Sequence, residues 1–72
     1  MLEMSKFDQE NVEWILNGNG DWFGAKLLRL IAHCDVEHRD ALRKGFPDYV
    51  EAYEKWYYKE SYETYLMTRS NA

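Results

Sequence analysis

The sequence has one cysteine and one proline among 72 residues, no basic excess and no long apolar run. The single cysteine, Cys34, excludes an internal disulfide and favours a reducing compartment. No stretch approaches the roughly 18 apolar residues that a membrane helix needs. The N-terminus also lacks an apolar core of signal-peptide length. We therefore expect a soluble, cytoplasmic protein that makes no contact with a membrane.

The charge balance is acidic but uneven along the chain. The net charge is −4, and residues 22–45 form the stretch with a positive sum. An acidic balance opposes general affinity for nucleic acid, which needs a basic surface. A chain of this length hides only roughly 60% of its unfolded surface, so it forms at most one domain, 1–72.

The few glycines and the proline divide the chain into segments. Gly18 and Gly20 mark one turn, and Gly45 and Pro47 mark a second break. Glycine typically follows the end of a helix, and proline suits the first helical turn. The apolar spacing between these breaks is helical. We predict an all-α fold, a compact bundle of three short helices and one long C-terminal helix.

Polar side chains are placed to begin the first three helices. Ser5 with Asp8 has the spacing of a capping box, and Asp21 and Asp35 are expected to cap the second and third helices. The second helix is apolar nearly all round, which is typical of a central helix. Its predicted core stripe consists of Phe23, Leu27, Leu30, Ile31 and Cys34.

The last helix carries the tyrosines, and their spacing predicts two stripes. The first stripe, which includes Tyr53 and Tyr57, is expected to face the core, and the second is rotated from it and should project beyond the bundle. Tyrosine is frequent at protein interfaces. The open alternatives for the second stripe are contact with the first helix, with a second copy in a homodimer, or with a partner protein. The predicted partner-binding residues are Tyr58, Tyr62, Tyr65, Leu66, Glu60 and Glu63.

The densest group of ligand-type residues lies in the sequence HCDVEH. Cys34 and His38 are four residues apart, but a zinc site needs three or four ligands and no second cluster completes this one. A thiol on a central stripe is expected to be buried and inert. We predict no metal site, no cofactor and no enzymatic activity.

A helix-turn-helix is the alternative interpretation of the basic middle of the chain. Glu37 and Asp40 lie among its cations and would repel phosphate, so we disfavour direct contact with nucleic acid. The alternative nucleic-acid-binding residues are Lys26, Arg29, Arg39, Arg43 and Lys44.

Residues 18–56 combine an Asp-Trp-Phe turn, the helix sequence LLRLIA and a Phe-Pro break. This pattern resembles a group of short hypothetical helical proteins from bacteriophages and prophages. The residues that carry it are Asp21, Trp22, Phe23, Leu27, Leu28, Arg29, Leu30, Ile31, Ala32, Asp35, Arg39, Phe46, Pro47, Val50, Glu51 and Ala52.

The resemblance implies a small viral protein that sterically inhibits a host protein or nucleoprotein complex, as anti-CRISPR proteins do. It also leaves open a DNA-binding regulator and a self-associating phage accessory protein. Imitation of DNA is the weaker inhibitory mechanism, because lysines interrupt the acidic row. That row consists of Glu51, Glu54, Glu60 and Glu63.

Overall fold

The computed structural model describes residues 3–70, and these residues form the predicted all-α fold with no strand. The predicted first helix is divided in two at Asn11. The predicted long C-terminal helix begins at Pro47 and contains a 3₁₀ turn over Lys59–Ser61. The helices are α1 (Lys6–Glu10), α2 (Val12–Leu16), α3 (Phe23–His33), α4 (Val36–Gly45), α5 (Pro47–Tyr58) and α6 (Tyr62–Ser70).

Two of the three predicted helix caps are confirmed. The Ser5 hydroxyl accepts a hydrogen bond from the Asp8 backbone N–H at 3.1 Å, and Asp35 accepts one from the His38 N–H at 2.8 Å. The prediction for Asp21 is wrong, since α3 begins at Phe23 and Trp22 occupies the cap position without a side-chain bond. In the turn before α3, Gly20 adopts a φ of 92°, a conformation that favours glycine.

Helix α3 is the centre of the fold, as predicted, and packs against both α2 and α5. Its buried face differs from the predicted stripe, because Ala25 and Leu28 are fully buried whereas Phe23 and Leu30 are 62% and 54% exposed. Cys34 ends the helix and is half-buried. The apolar core consists of Met4, Val12, Ile15, Ala25, Leu27, Leu28, Ile31, Tyr49, Val50 and Tyr53.

The C-terminal segment bends at Lys59, which adopts a φ of 47°. This left-handed conformation is uncommon for a residue with a side chain. The bend directs α6 so that Tyr65 contacts Glu54 of α5. Tyr65 is therefore covered within the chain, contrary to the prediction for its stripe, whereas residues 66–68 farther along α6 are exposed. Among the described residues, every helix is too short or too polar to cross a bilayer.

Candidate functional site

An ionic cluster of Arg39, Arg43 and Glu54 joins α4 to α5. Glu54 has no exposed surface. The two Nη atoms of Arg43 each donate a hydrogen bond to a different carboxylate oxygen of Glu54, both at 2.7 Å. The Nε atom of Arg39 lies 3.1 Å from Oε2 of Glu54, an ion-pair distance that lacks the alignment of a hydrogen bond. Paired, bidentate contacts of this kind are what a buried carboxylate needs to remain charged.

The electrostatics of the cluster keep its three groups charged at neutral pH. Burial by itself raises the pKa of Glu54. The hydrogen bonds from Arg43 and Tyr65 and the charges of both arginines outweigh burial and lower that pKa below its ordinary value. The hydrogen bond to Glu54 is the main reason that the pKa of Arg43 is raised. A carboxylate that is fully enclosed by its partners stabilises the contact between two helices and has no open position for a ligand.

The tyrosine cluster of Tyr58, Tyr62 and Tyr65 lies over this ionic cluster. The Tyr65 hydroxyl donates a hydrogen bond to Oε2 of Glu54 at 2.5 Å. The rings of Tyr58 and Tyr65 stack with centroids 3.9 Å apart, and Nη2 of Arg39 lies 3.5 Å from the Tyr58 hydroxyl. The second stripe therefore packs against α4 and α5 and not against the first helix.

These contacts change what the predicted partner-binding residues can offer. Tyr58 and Tyr65 make contacts within the chain, where their hydroxyl groups and rings cover buried charges. Tyr62 is half-buried. The outward part of the predicted surface consists of Glu60, Glu63 and Leu66, which are exposed.

The basic residues of the nucleic-acid alternative do not assemble into one face. Arg39 is 7% exposed and, with Arg43, is held by Glu54. Arg29 donates hydrogen bonds to the backbone carbonyls around the Gly18–Gly20 turn, at 2.9, 2.8 and 2.5 Å. Only Lys26 and Lys44 of this set are exposed. The predicted recognition surface is corrected accordingly, since its arginines stabilise the fold and are not available to phosphate.

The acidic row proposed for DNA imitation is also incomplete. Glu54 is buried and neutralised by two arginines, so it presents no charge to a partner. Glu51 lies 3.4 Å from the ammonium group of Lys55, with both side chains exposed. Without Glu54, the row retains only Glu51, Glu60 and Glu63. These few carboxylates cannot imitate a DNA backbone, which carries one charge per roughly 1.7 Å of helix axis.

An exposed aromatic patch, formed by Phe7, Trp14 and Trp22, lies on α1, α2 and the start of α3. These side chains are 54%, 48% and 37% exposed. The Trp14 and Trp22 rings are 25° from parallel, with centroids 6.5 Å apart. The Phe7 ring stands edge-on to both, at 6.5 Å from Trp14 and 5.7 Å from Trp22. Three large rings that contact one another at the surface form a contiguous apolar area, which is typical of binding sites.

Buried polar contacts fix the position of this patch. Asp8, which is 3% exposed, accepts hydrogen bonds from Nε1 of Trp22 at 2.9 Å and from the Tyr49 hydroxyl at 3.1 Å. Burial is the main reason that the pKa of Tyr49 is raised. Gly24 gives Asp8 room, because a Cβ at that position would collide with its carboxylate. The patch is thus held by the fold on its inner side and exposed on its outer side.

The sequence contains a partial signal for this patch. Phe7 and Trp14 are seven residues apart, which places them on one face of a helical segment. Trp22 joins them only because the Gly18–Gly20 turn brings α3 back beside α2, and the hydrogen bond to Asp8 then orients its ring. Helical periodicity in the sequence describes single segments and does not show which rings meet across a turn.

The HCDVEH segment forms a local cap and no larger site. His38 Nδ1 lies 2.7 Å from Oδ1 of Asp35, and the His38 backbone N–H is the main cause of the lowered pKa of Asp35. Cys34 borders an apolar groove of about 560 Å³ between α3 and α4 that Leu30 and Leu42 also line. Within residues 3–70, no group of three or more histidine, cysteine or acidic side chains is arranged to hold a metal ion.

Comparisons of this chain with protein-family models, with curated proteins and with solved structures find no match. The resemblance to short phage proteins therefore stays a prediction from the sequence.

Proposed function

We propose that this chain is a binding protein that covers a surface of a larger bacterial protein or nucleoprotein complex and thereby inhibits it sterically. The observation that carries this proposal is the exposed aromatic patch of Phe7, Trp14 and Trp22. Tryptophan and other large aromatic side chains dominate the binding energy of protein interfaces. An exposed ring cluster is otherwise unfavourable in water, so covering it supplies free energy for association.

The biological setting of the proposal follows from the sequence. The resemblance of residues 18–56 to short phage proteins supports action in the cytoplasm of an infected bacterium, as an inhibitor of the anti-CRISPR type. The chain is acidic, with a net charge of −4, which favours protein partners over nucleic acid. The exposed outer part of the C-terminal helix, at Glu60, Glu63 and Leu66, is a second contact surface in this proposal.

The test is an affinity capture from bacterial lysate that compares matched variants of the chain. Trp14→Ser removes one ring of the patch, which is 48% exposed, and Tyr57→Ser removes a ring of α5 that is 59% exposed. We expect Trp14→Ser to lose the captured protein and Tyr57→Ser to retain it, with helical content checked by circular dichroism. Equal capture by wild type and a folded Trp14→Ser variant would show that the patch is not the binding surface.

A self-associating accessory protein is the competing function for the same surface. Sedimentation velocity separates self-association from binding to a partner protein. If the patch is buried in a homodimer, the wild type should be dimeric and Trp14→Ser should be monomeric. Concentration-dependent dimerisation that Trp14→Ser abolishes would replace the inhibitor proposal with self-association.

A further inference from the structure

The surroundings of the aromatic patch are acidic. Within α1, Phe7 and Glu10 are three residues apart and share a face, and Glu13 directly precedes Trp14 in α2. Asp21 precedes Trp22, and all three carboxylates are exposed. Lys6 on α1 and Lys26, one turn after Trp22 in α3, are the exposed cations on these segments. A partner that covers the rings therefore meets more carboxylates than cations.

The negative surface continues beyond the patch into an open groove. This groove has a volume of about 590 Å³ and lies between the first two helices and α5. Glu10 and Glu13 line it from one side, and Asp48 and Glu51 line it from the other. Lys55 is the basic residue of the lining, and Glu51 lies 3.4 Å from its ammonium group. Glu10 and Glu13 thus belong both to the groove and to the helices α1 and α2 that carry Phe7 and Trp14.

We infer that the partner presents a basic, arginine-bearing protein segment to this patch and groove, an inference that rests on the proposed binding function. The faces of tryptophan rings attract cations through their π-electrons. Guanidinium is planar, is weakly hydrated compared with an ammonium group, and stacks on aromatic rings while its edge donates to carboxylates. Arginine therefore matches both features that the surface combines, the rings of Trp14 and Trp22 and the nearby carboxylates of Glu10 and Glu13.

The same features oppose other occupants of this surface. Nucleic acid would bring phosphates towards Glu10, Glu13 and Asp21. A second copy of the chain carries the same net charge of −4 and the same carboxylates, which oppose its approach, and its Arg29, Arg39 and Arg43 are held by contacts within their own chain. A basic segment of a different protein is the occupant that the charge distribution favours.

The experiment is isothermal titration calorimetry of the full chain with three synthetic peptides of equal length, alternating glycine with arginine, lysine or glutamate. We expect the arginine peptide to bind about two- to fivefold more tightly than the lysine peptide, because both cations attract a ring face but only guanidinium also stacks on it and is less strongly hydrated. The glutamate peptide should not bind. Trp14→Ser should remove the preference for arginine, Glu10→Gln with Glu13→Gln should weaken both basic peptides, and Tyr57→Ser should leave all affinities unchanged.

The outcomes separate this inference from the proposed function. Equal affinity for the arginine and lysine peptides, or an arginine preference that Trp14→Ser retains, would reduce the effect to non-specific attraction and overturn the inference. If no basic peptide binds while lysate capture still depends on Trp14, the basic-partner inference fails and the binding function stands. If lysate capture does not depend on Trp14, the proposed function fails whatever the peptides show.

Discussion

Two groups of aromatic rings in this chain differ in what covers them. At the C-terminal end, Tyr58 and Tyr65 stack on each other and lie over buried charges. At the N-terminal end, Phe7 and Trp14 contact each other but remain about half exposed. Both regions are rich in aromatic residues, yet in the second region three exposed rings contact one another, whereas Tyr58 and Tyr65 are half-buried.

The difference follows from the polar groups that the rings carry. A tyrosine has a hydroxyl that can satisfy a buried carboxylate, and the fold uses Tyr65 in this way against Glu54. Phenylalanine has no such group, and the indole N–H of Trp22 is already directed inward to Asp8. The tyrosine region therefore contributes to stability, and the N-terminal patch is the surface that a partner can use.

The largest expected effect is the loss of the ionic cluster beneath the tyrosines. Glu54→Ala would leave Arg39 and Arg43 without their buried counter-charge, which costs about 3–5 kcal/mol. A domain of this length has a total free energy of unfolding of only about 4–11 kcal/mol. We expect partial or complete unfolding in urea titrations at neutral pH. Glu51→Ala is the matched control, because its exposed pair with Lys55 contributes about 0.5 kcal/mol or less.

The pH dependence of the free energy of unfolding at acid pH is a second test of the ionic cluster. The pKa of Glu54 is lower in the folded chain than its ordinary value of 4.5. The unfolded chain therefore takes up this proton first, so the contribution of Glu54 is full above that value and is lost as the pH falls through the lower, folded pKa. We expect Glu54→Gln to flatten this part of the profile relative to wild type. Parallel profiles for the two proteins would exclude a charged Glu54 as the stabilising group.

An intermediate loss of stability is expected from Gly24→Ala, which changes the packing around Asp8 beneath the N-terminal patch. The new methyl group would collide with the Asp8 carboxylate and disturb its hydrogen bonds to Trp22 and Tyr49. Overpacking of this kind costs about 1–3 kcal/mol. Urea titration measures the cost, and tryptophan fluorescence reports the displacement of Trp22.

Gly45→Ala is the control for that substitution, since the space around Gly45 is open. It should be neutral or stabilise the chain by up to about 1 kcal/mol. Equal stabilities of the two alanine variants would mean that Asp8 does not occupy the space beside Gly24.

The smallest effect on stability is expected from Trp14→Ser. This ring is half exposed, meets Phe7 edge to face and is stacked on Trp22, and its removal should cost about 1 kcal/mol or less because it lies outside the core. The same variant should have the largest effect on partner binding, which is the reverse of Glu54→Ala. If Trp14→Ser lost as much stability as Glu54→Ala, the patch would instead be part of the hydrophobic core.

Much of the fold could be predicted from local chemistry, and the site could not. The caps at Ser5 and Asp35, the breaks at Gly18 and Gly45 and the proline at the start of α5 act within one or two helical turns. The role of Glu54 could not be predicted in this way, because its partners come from α4 and α6. A glutamate on an amphipathic helix is ordinarily exposed, and only a tertiary contact with two arginines reverses that expectation.

The sequence by itself determined an all-α chain, the position of its main turns and the central place of α3, because helix periodicity and capping depend on neighbouring residues. The tertiary structure decided which aromatic rings are covered. The bend at Lys59 returns the tyrosines to the ionic cluster, and the turn before α3 brings Trp22 to Phe7 and Trp14. Both results depend on contacts between distant segments, and such contacts are fixed only when the helices pack.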